Sequence, residues 1–112
     1  MHCEFLPETS GRMVCRLTDA DGVHYLGAAS AEDAVEDLTG ALDDLERNGM
    51  GECYWTGDAG EYRWVFRREG SLVKAAVLRL TGVVPGYQHV AWVEEEAAEL
   101  VGSLRHALAT AH

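Results

Sequence analysis

The chain has 112 residues, of which 47% are hydrophobic and 25% are charged. That length predicts one domain spanning residues 1–112 with its own hydrophobic core, and that composition excludes a disordered chain. The formal net charge is −10, from 9 Lys and Arg against 19 Asp and Glu. A surplus of acids argues against binding to nucleic acid or to a membrane surface, because both are anionic.

The first predicted element is a β-hairpin. Residues 12–18 alternate so that Met13, Cys15 and Leu17 share one face, which indicates a strand. The segment Asp-Ala-Asp-Gly at 19–22 has turn composition. Residues 23–28 are then the returning strand of the hairpin.

The clearest element is an amphipathic helix over residues 31–47. Ser30 and Asp33 have capping-box spacing at its start, and Gly49 suits the position after its last residue. Apolar side chains recur in steps of three and four, which places them on one side of a helix; they are Ala31, Ala34, Val35, Leu38, Ala41, Leu42 and Leu45.

A three-stranded meander follows, with strands at 51–56, 61–68 and 71–80 and turns at 58–60 and 69–70. Its middle strand alternates Tyr62, Trp64 and Phe66, which predicts one apolar face. Pairing Arg68 with Ser71 sets a register in which that whole face is apolar; the predicted pairs are Phe66 with Val73, Trp64 with Ala75 and Tyr62 with Val77.

The C-terminal region reads as a loop over 81–92, with a short edge strand at 88–92, and then a second helix. Glu94, Glu95 and Glu96 suit the positive end of that helix. Its apolar stripe comprises Ala97, Leu100, Val101, Leu104, Ala107, Leu108 and Ala111. The predicted order is ββαβββ(β)α. It corresponds to an α+β two-layer sandwich in which an antiparallel sheet (hairpin plus meander) is packed by two amphipathic helices.

The polar side of the first helix is the most informative feature for function. Six acids project onto one arc of about 140° at 100° per residue; they are Glu32, Asp33, Glu36, Asp37, Asp43 and Asp44. Two interpretations stay open. The arc is either a solvated helix face that aids solubility or a docking surface for a basic partner, which such charge would steer. A metal site is not expected, because carboxylates along one helix surface rarely converge on an ion.

Aromatic side chains are concentrated between residues 54 and 66. The alternation at 62–66 predicts that this part of the cluster lies in the core. Only one of Tyr54 and Trp55 can share that buried face. We predict Trp55 as an exposed anchor at a partner interface, since exposed Trp and Tyr dominate binding hot spots.

The cysteines and the absence of an export signal predict a cytoplasmic protein. Charged residues interrupt the N-terminal region, and no stretch approaches the roughly 18 apolar residues that span a membrane. Cys3, Cys15 and Cys53 are widely spaced without a CxxC pair, so we expect reduced thiols. The abundance of Ala, Gly, Val, Glu and Arg beside a single Lys is typical of a GC-rich bacterium.

Size, acidity and the αβ layer plan are similar to those of the small immunity proteins that bacteria use to neutralise toxins. The similarity implies a basic partner, because many such toxins are basic nucleases. The leading hypothesis is a small acidic interaction module, of immunity or regulatory type, that requires no cofactor. A homodimer is compatible with it, through the other face of the meander, where Val65, Leu72, Ala76 and Leu78 lie.

An alternative is a small enzyme or ligand-binding protein with an aromatic-lined pocket between sheet and helices. Arg63, Tyr87 and His89 are the polar groups expected at that pocket. A nucleophile pair of Cys53 with His89 also stays open, since catalytic groups meet in space. The chain has no GxSxG, HExxH or GxGxxG motif, and no paired spacing of His and Cys that would hold a metal.

Overall fold

The secondary structure elements follow the order βββαββββα. The structure is a computed structural model that describes residues 1–57, 60–81 and 86–111. One antiparallel sheet contains β1 (His2–Pro7), β2 (Met13–Asp19) and β3 (Gly22–Ala28). A second antiparallel sheet contains β4 (Met50–Gly57), β5 (Gly60–Glu69), β6 (Leu72–Leu80) and β7 (Gln88–Glu96). The helices are α1 (Ala31–Asn48) and α2 (Ala97–Ala109).

Both helices cover one side of the sheets, and this arrangement is the predicted α+β sandwich. α1 packs against β4 and β5, whereas α2 packs against β1, β6 and β7. We call the helix-facing side of each sheet its inner face and the opposite side its outer face. Large side chains fill the layer between helices and sheets, where each contributes about 1.5–3 kcal/mol by leaving water; they include Leu38, Leu42, Trp55, Trp64, Phe66 and Leu104, all at most 1% exposed.

The boundaries of α1 confirm the predicted caps. The Ser30 side chain accepts a hydrogen bond from the Asp33 backbone N–H at 3.2 Å. Gly49 has φ 78, a left-handed conformation, and its N–H donates to the Leu45 carbonyl at 2.9 Å. The predicted apolar stripe faces the core, since Ala34, Leu38, Ala41, Leu42 and Leu45 are buried. This rotation of the helix turns its acidic side toward water.

Two elements differ from the predictions because backbone pairing overrides local composition. β1 was not predicted; it pairs along β2 and buries Cys3 and Phe5 on the inner face. The segment Glu94–Glu96 belongs to β7 and not to a helix start, because its residues pair with Lys74, Val73 and Leu72 of β6. α2 begins only at Ala97, whose N–H donates to the Ser71 carbonyl at 2.8 Å.

The register predicted for the meander is wrong by two residues. Glu69 pairs with Leu72, so Gly70 and Ser71 form the loop, and Gly70 has φ 64. The observed pairs are Phe66 with Ala75, Trp64 with Val77 and Tyr62 with Arg79. A shift of two residues leaves every side chain on its predicted face, so the buried set was still predicted correctly. Residues 58–59 of the predicted turn and 82–85 of the predicted loop lie outside the described residues.

A buried carboxylate holds the turn between β2 and β3. The Asp19 side chain is only 1% exposed. Its Oδ1 accepts a hydrogen bond from the Asp21 backbone N–H at 2.9 Å and lies 3.2 Å from His24 Nε2. Burial opposes ionisation, but the hydrogen bonds from Asp21 and His24 outweigh it, so the pKa of Asp19 lies below its ordinary value.

This lowered pKa makes the stability of the hairpin depend on pH. A carboxylate with a lowered pKa stabilises the fold above its unfolded pKa and loses that contribution as the pH falls through the folded pKa. We expect Asp19→Asn to be less stable than the wild type at pH 7, with the difference shrinking below about pH 4. Urea unfolding at pH 7 and at about pH 3 measures both differences. An equal difference at the two pH values would contradict the assignment.

Candidate interaction surface on α1

The acids predicted to bind a partner all lie on α1, on the side away from its buried stripe. Asp43 is half-buried and the others are exposed; the six are Glu32, Asp33, Glu36, Asp37, Asp43 and Asp44. They occupy the helix positions that the buried stripe leaves free. Because the stripe packs on the sheet, these acids are turned toward solvent. The surface is therefore built by the same periodicity that builds the core.

The C-terminal half of this face is neutralised within the fold. Arg105 of α2 reaches across to α1, and its Nη2 lies 2.8 Å from Asp43 Oδ1 and 2.7 Å from Glu46 Oε1. Hydrogen bonding, first to Glu46 and then to Asp43, raises the pKa of Arg105. Arg47 Nη2 lies 3.6 Å from Asp44 Oδ1. Asp43 and Glu46 therefore help to join the two helices, whereas the Asp44–Arg47 pair lies within α1.

The N-terminal half carries no such compensation. No ion pair within residues 1–57, 60–81 and 86–111 involves Glu32, Asp33, Glu36 or Asp37, and we call these four residues the acidic patch. Glu32 and Asp33 lie in the first turn, where the helix dipole favours them. Glu36 and Asp37 lie one turn later and face like charges at i−4, which disfavours a helix by a few tenths of a kcal/mol per pair.

A cleft of about 130 Å³ adjoins the acidic patch where α1 passes β4. Its lining includes two acidic residues, Asp33 and Asp37, and carboxylates suit a cationic side chain. Its lining is Ala28, Ala29, Ser30, Asp33, Ala34, Asp37, Tyr54, Trp55 and Thr56.

The predicted surface role of Trp55 is wrong. Trp55 is 1% exposed and lies on the inner face of β4, opposite Tyr62. Its ring centroid is 5.1 Å from that of Trp64 and 6.1 Å from that of Phe5. Strand alternation turns the neighbouring Tyr54 outward instead, where it is 42% exposed. The exposed aromatic of this pair is therefore Tyr54, which lies on the outer face under the Arg63 guanidinium.

The residues predicted for a pocket lie on the outer face of the second sheet or beside it, not between sheet and helices. The Arg63 guanidinium carbon is 5.7 Å from the ring centroids of both Tyr54 and Tyr87. Arg63 Nη2 donates to Glu52 Oε2 at 2.5 Å, and this hydrogen bond raises the pKa of Arg63. The structure thus brings Arg63 and Tyr87 together. His89 is set apart, because Leu78 lies between it and Arg63 in the register.

The space in which the pocket was predicted is filled by aromatic rings. The ring centroids of Trp64 and Phe66 lie 6.3 Å apart, and both side chains are at most 1% exposed. Among the described residues, every residue that is buried as a whole is hydrophobic; Asp19, whose carboxylate is buried, is only half-buried as a residue. The predicted arrangement, with polar groups converging on an internal aromatic pocket, is therefore wrong.

The cysteines are free thiols buried in the core. Burial, with smaller contributions from the carboxylates of Asp37 and Glu52, raises the pKa of Cys53 to about 12. Hydrogen bonding to Cys3 and burial raise the pKa of Cys15 as well. Such thiols stay protonated at neutral pH and are poor nucleophiles. The Cys53–His89 pair is also excluded by position, since Cys53 points inward and His89 is on the outer face.

Comparison of the chain with protein-family models, curated proteins and solved structures gives no significant match. Within the described part of the chain, neither helix is both long and apolar enough to cross a bilayer. The interpretation of the surface therefore depends on its own chemistry.

Proposed function

We propose that this protein is an interaction module that binds a basic protein through the acidic patch. The observation that carries the proposal is the division of the acids on α1. Those of the C-terminal half are paired with Arg105 and Arg47, whereas Glu36 and Asp37 stay unpaired within the described chain. Solubility alone explains a charged face, but it does not explain why the unpaired acids are concentrated in one half.

The chemistry of the cleft supports a cationic side chain as the contact that the partner supplies. Asp33 and Asp37 both line the cleft and offer carboxylate oxygens there. An arginine or lysine of the partner placed in the cleft gains charge-assisted hydrogen bonds. The surrounding negative field would raise the association rate.

A reducing compartment and an inhibitory or regulatory role complete the proposal. Three free, buried cysteines fit a bacterial cytoplasm, where thiols stay reduced. An immunity-type protein that caps the active surface of a basic toxin fits a small rigid sandwich with one charged docking face. A regulatory protein acting on a basic enzyme would use the same contacts.

Charge reversal tests the proposal. In one variant Asp33, Glu36 and Asp37 become lysine; in a matched control Glu8, Asp21 and Glu99, which are exposed elsewhere, become lysine. Both variants change the net charge equally. A partner captured from lysate, identified by mass spectrometry and purified, is titrated against each protein. We expect at least about tenfold weaker binding for the patch variant and less than about threefold for the control.

Two results would contradict the proposal. Equal weakening by both variants would show that only bulk charge matters, and unchanged binding by the patch variant would place the interface elsewhere. Thermal unfolding of both variants guards against a trivial loss of fold. We expect both melting temperatures to stay within a few degrees of the wild type, because all six positions are exposed.

A further inference from the structure

The outer face of the second sheet carries large apolar and aromatic side chains among its charged ones. Within the described residues no helix covers it, since α1 and α2 pack on the inner faces. Met50 is 60% exposed, Tyr54 42% and Trp92 50%. Val65, Ala76 and Leu78 are half-buried between them. Exposed surfaces rich in aromatic residues, methionine and arginine are typical of protein interfaces.

The strand register arranges this face in three rows across β4, β5, β6 and β7. The first row is Met50, Arg67, Lys74 and Glu94; the second is Glu52, Val65, Ala76 and Trp92; the third is Tyr54, Arg63, Leu78 and His89. With histidine neutral, these rows carry three cations and two carboxylates. The face is therefore close to neutral in a protein whose net charge is −10.

We propose that a second copy of this chain binds to this face, related to the first by a twofold axis that runs parallel to β6. The charge of the molecule argues for this occupant. Two copies at −10 repel each other, and a face with balanced charge is where they meet without adding like-charge contacts to that repulsion. A basic partner, by contrast, would meet Arg63, Arg67 and Lys74 here.

The register shows that the face is complementary to itself about such an axis. Rotation about β6 exchanges the positions of β5 and β7 and leaves each row at its own height. Arg67 then faces Glu94 of the second copy, and Val65 faces Trp92 of the second copy. Lys74, Ala76 and Leu78 lie on the axis. Lys74 meets its own copy there but is paired with Glu69 of its own chain at 3.2 Å, and the small Ala76 permits the sheets to approach closely.

Two unpaired charges favour this axis over one between β5 and β6. Arg67 and Glu94 are exposed, and within the described residues neither has an ion-pair partner. An axis between β5 and β6 would instead place Arg67 against Lys74 of the second copy. The axis along β6 joins Arg67 to Glu94 of the second copy. An isologous interface repeats every contact, so this ion pair forms twice, once on each side of the axis.

The test is a charge swap followed by sedimentation velocity. We expect the wild-type dimer to be detected as the protein concentration is raised to about 100 μM. Arg67→Glu and Glu94→Arg should each weaken dimerisation at least about tenfold. Mixing these two variants should restore the dimer, because every Arg67–Glu94 contact again joins opposite charges. The double variant R67E/E94R should restore it for the same reason.

Trp92→Ala should weaken dimerisation by about a hundredfold with little change in melting temperature. Tyr25→Ala, at a 64% exposed aromatic on the other sheet, is the matched control and should change neither property. A wild type that stays monomeric would overturn the proposal. Failure of both the mixture and the double variant to restore the dimer would overturn the twofold axis. This proposal does not depend on the acidic patch, and neither result bears on binding of a basic partner.

Discussion

Replacing Trp64 with alanine is expected to lower the free energy of unfolding by about 3–5 kcal/mol. Trp64 is fully buried at the centre of the inner face, between the rings of Trp55 and Phe66. Truncation removes its apolar contacts and leaves a cavity that the paired strands β4, β5 and β6 cannot collapse to fill. Urea unfolding followed by circular dichroism measures the change without relying on tryptophan fluorescence.

Trp92→Ala is the matched control for this prediction. Trp92 is 50% exposed on the outer face, so we expect its removal to cost less than about 1 kcal/mol in the monomer. The comparison is made at a protein concentration low enough to exclude self-association. Equal costs for Trp64 and Trp92 would contradict the assignment of inner and outer faces.

Replacing Gly51 with alanine is expected to cost about 3 kcal/mol through a steric clash with α1. A Cβ at Gly51 would lie 2.0 Å from the Ala41 carbonyl oxygen and 3.2 Å from the Leu45 backbone nitrogen. Both atoms belong to the helix backbone, so no side-chain rotation relieves the overlap. The helix would have to move away from β4, which would loosen the packing of the buried stripe.

Gly40→Ala, within α1 itself, is expected to give the opposite result. Gly40 lies on the exposed side of α1, and a Cβ there meets no atom within 4 Å. We expect this substitution to stabilise the protein by about 0.5–1 kcal/mol, because alanine favours a helix over glycine. A stabilised Gly51→Ala protein would show that α1 does not approach β4 as closely as described.

Elements with a strong period were predictable from sequence, because their burial repeats along the chain. The stripe of α1 and the alternation at Tyr62, Trp64 and Phe66 both determine which side chains are buried. β1 lacks such a signal, since only Cys3 and Phe5 turn inward. It was therefore visible only as the partner of β2, a contact made in space.

Segments where local preference and pairing disagree were predicted incorrectly. Three consecutive glutamates suit a helix N-terminus, yet Glu94–Glu96 continue β7 because β6 offers a ladder for pairing. The hairpin register moved by two residues because Gly70 opens the loop with a positive φ. Local sequence preferences favour a helix start at Glu94–Glu96 and one hairpin register, but the pairing of β6 with its neighbours determines the structure that forms.

The sequence predicted which acids form the candidate site, but not which of them are paired with cations and which are left unpaired. Sequence periodicity places the acids of α1 on one exposed face. It gives no sign that Arg105, 59 residues beyond Glu46, neutralises only the C-terminal part. The exposed position was also predicted for Trp55, whereas it belongs to Tyr54. Adjacent strand residues point to opposite faces, so an error of one residue in the alternation of β4 exchanges the buried and the exposed ring.

The association rate of the purified basic partner, measured against ionic strength, tests the acidic patch most directly. We expect the wild-type rate to fall steeply as salt screens the patch, whereas the variant with lysine at Asp33, Glu36 and Asp37 should associate slowly with little salt dependence. Rates and salt slopes that are the same for the wild type and this variant would contradict the proposal that these carboxylates guide the partner.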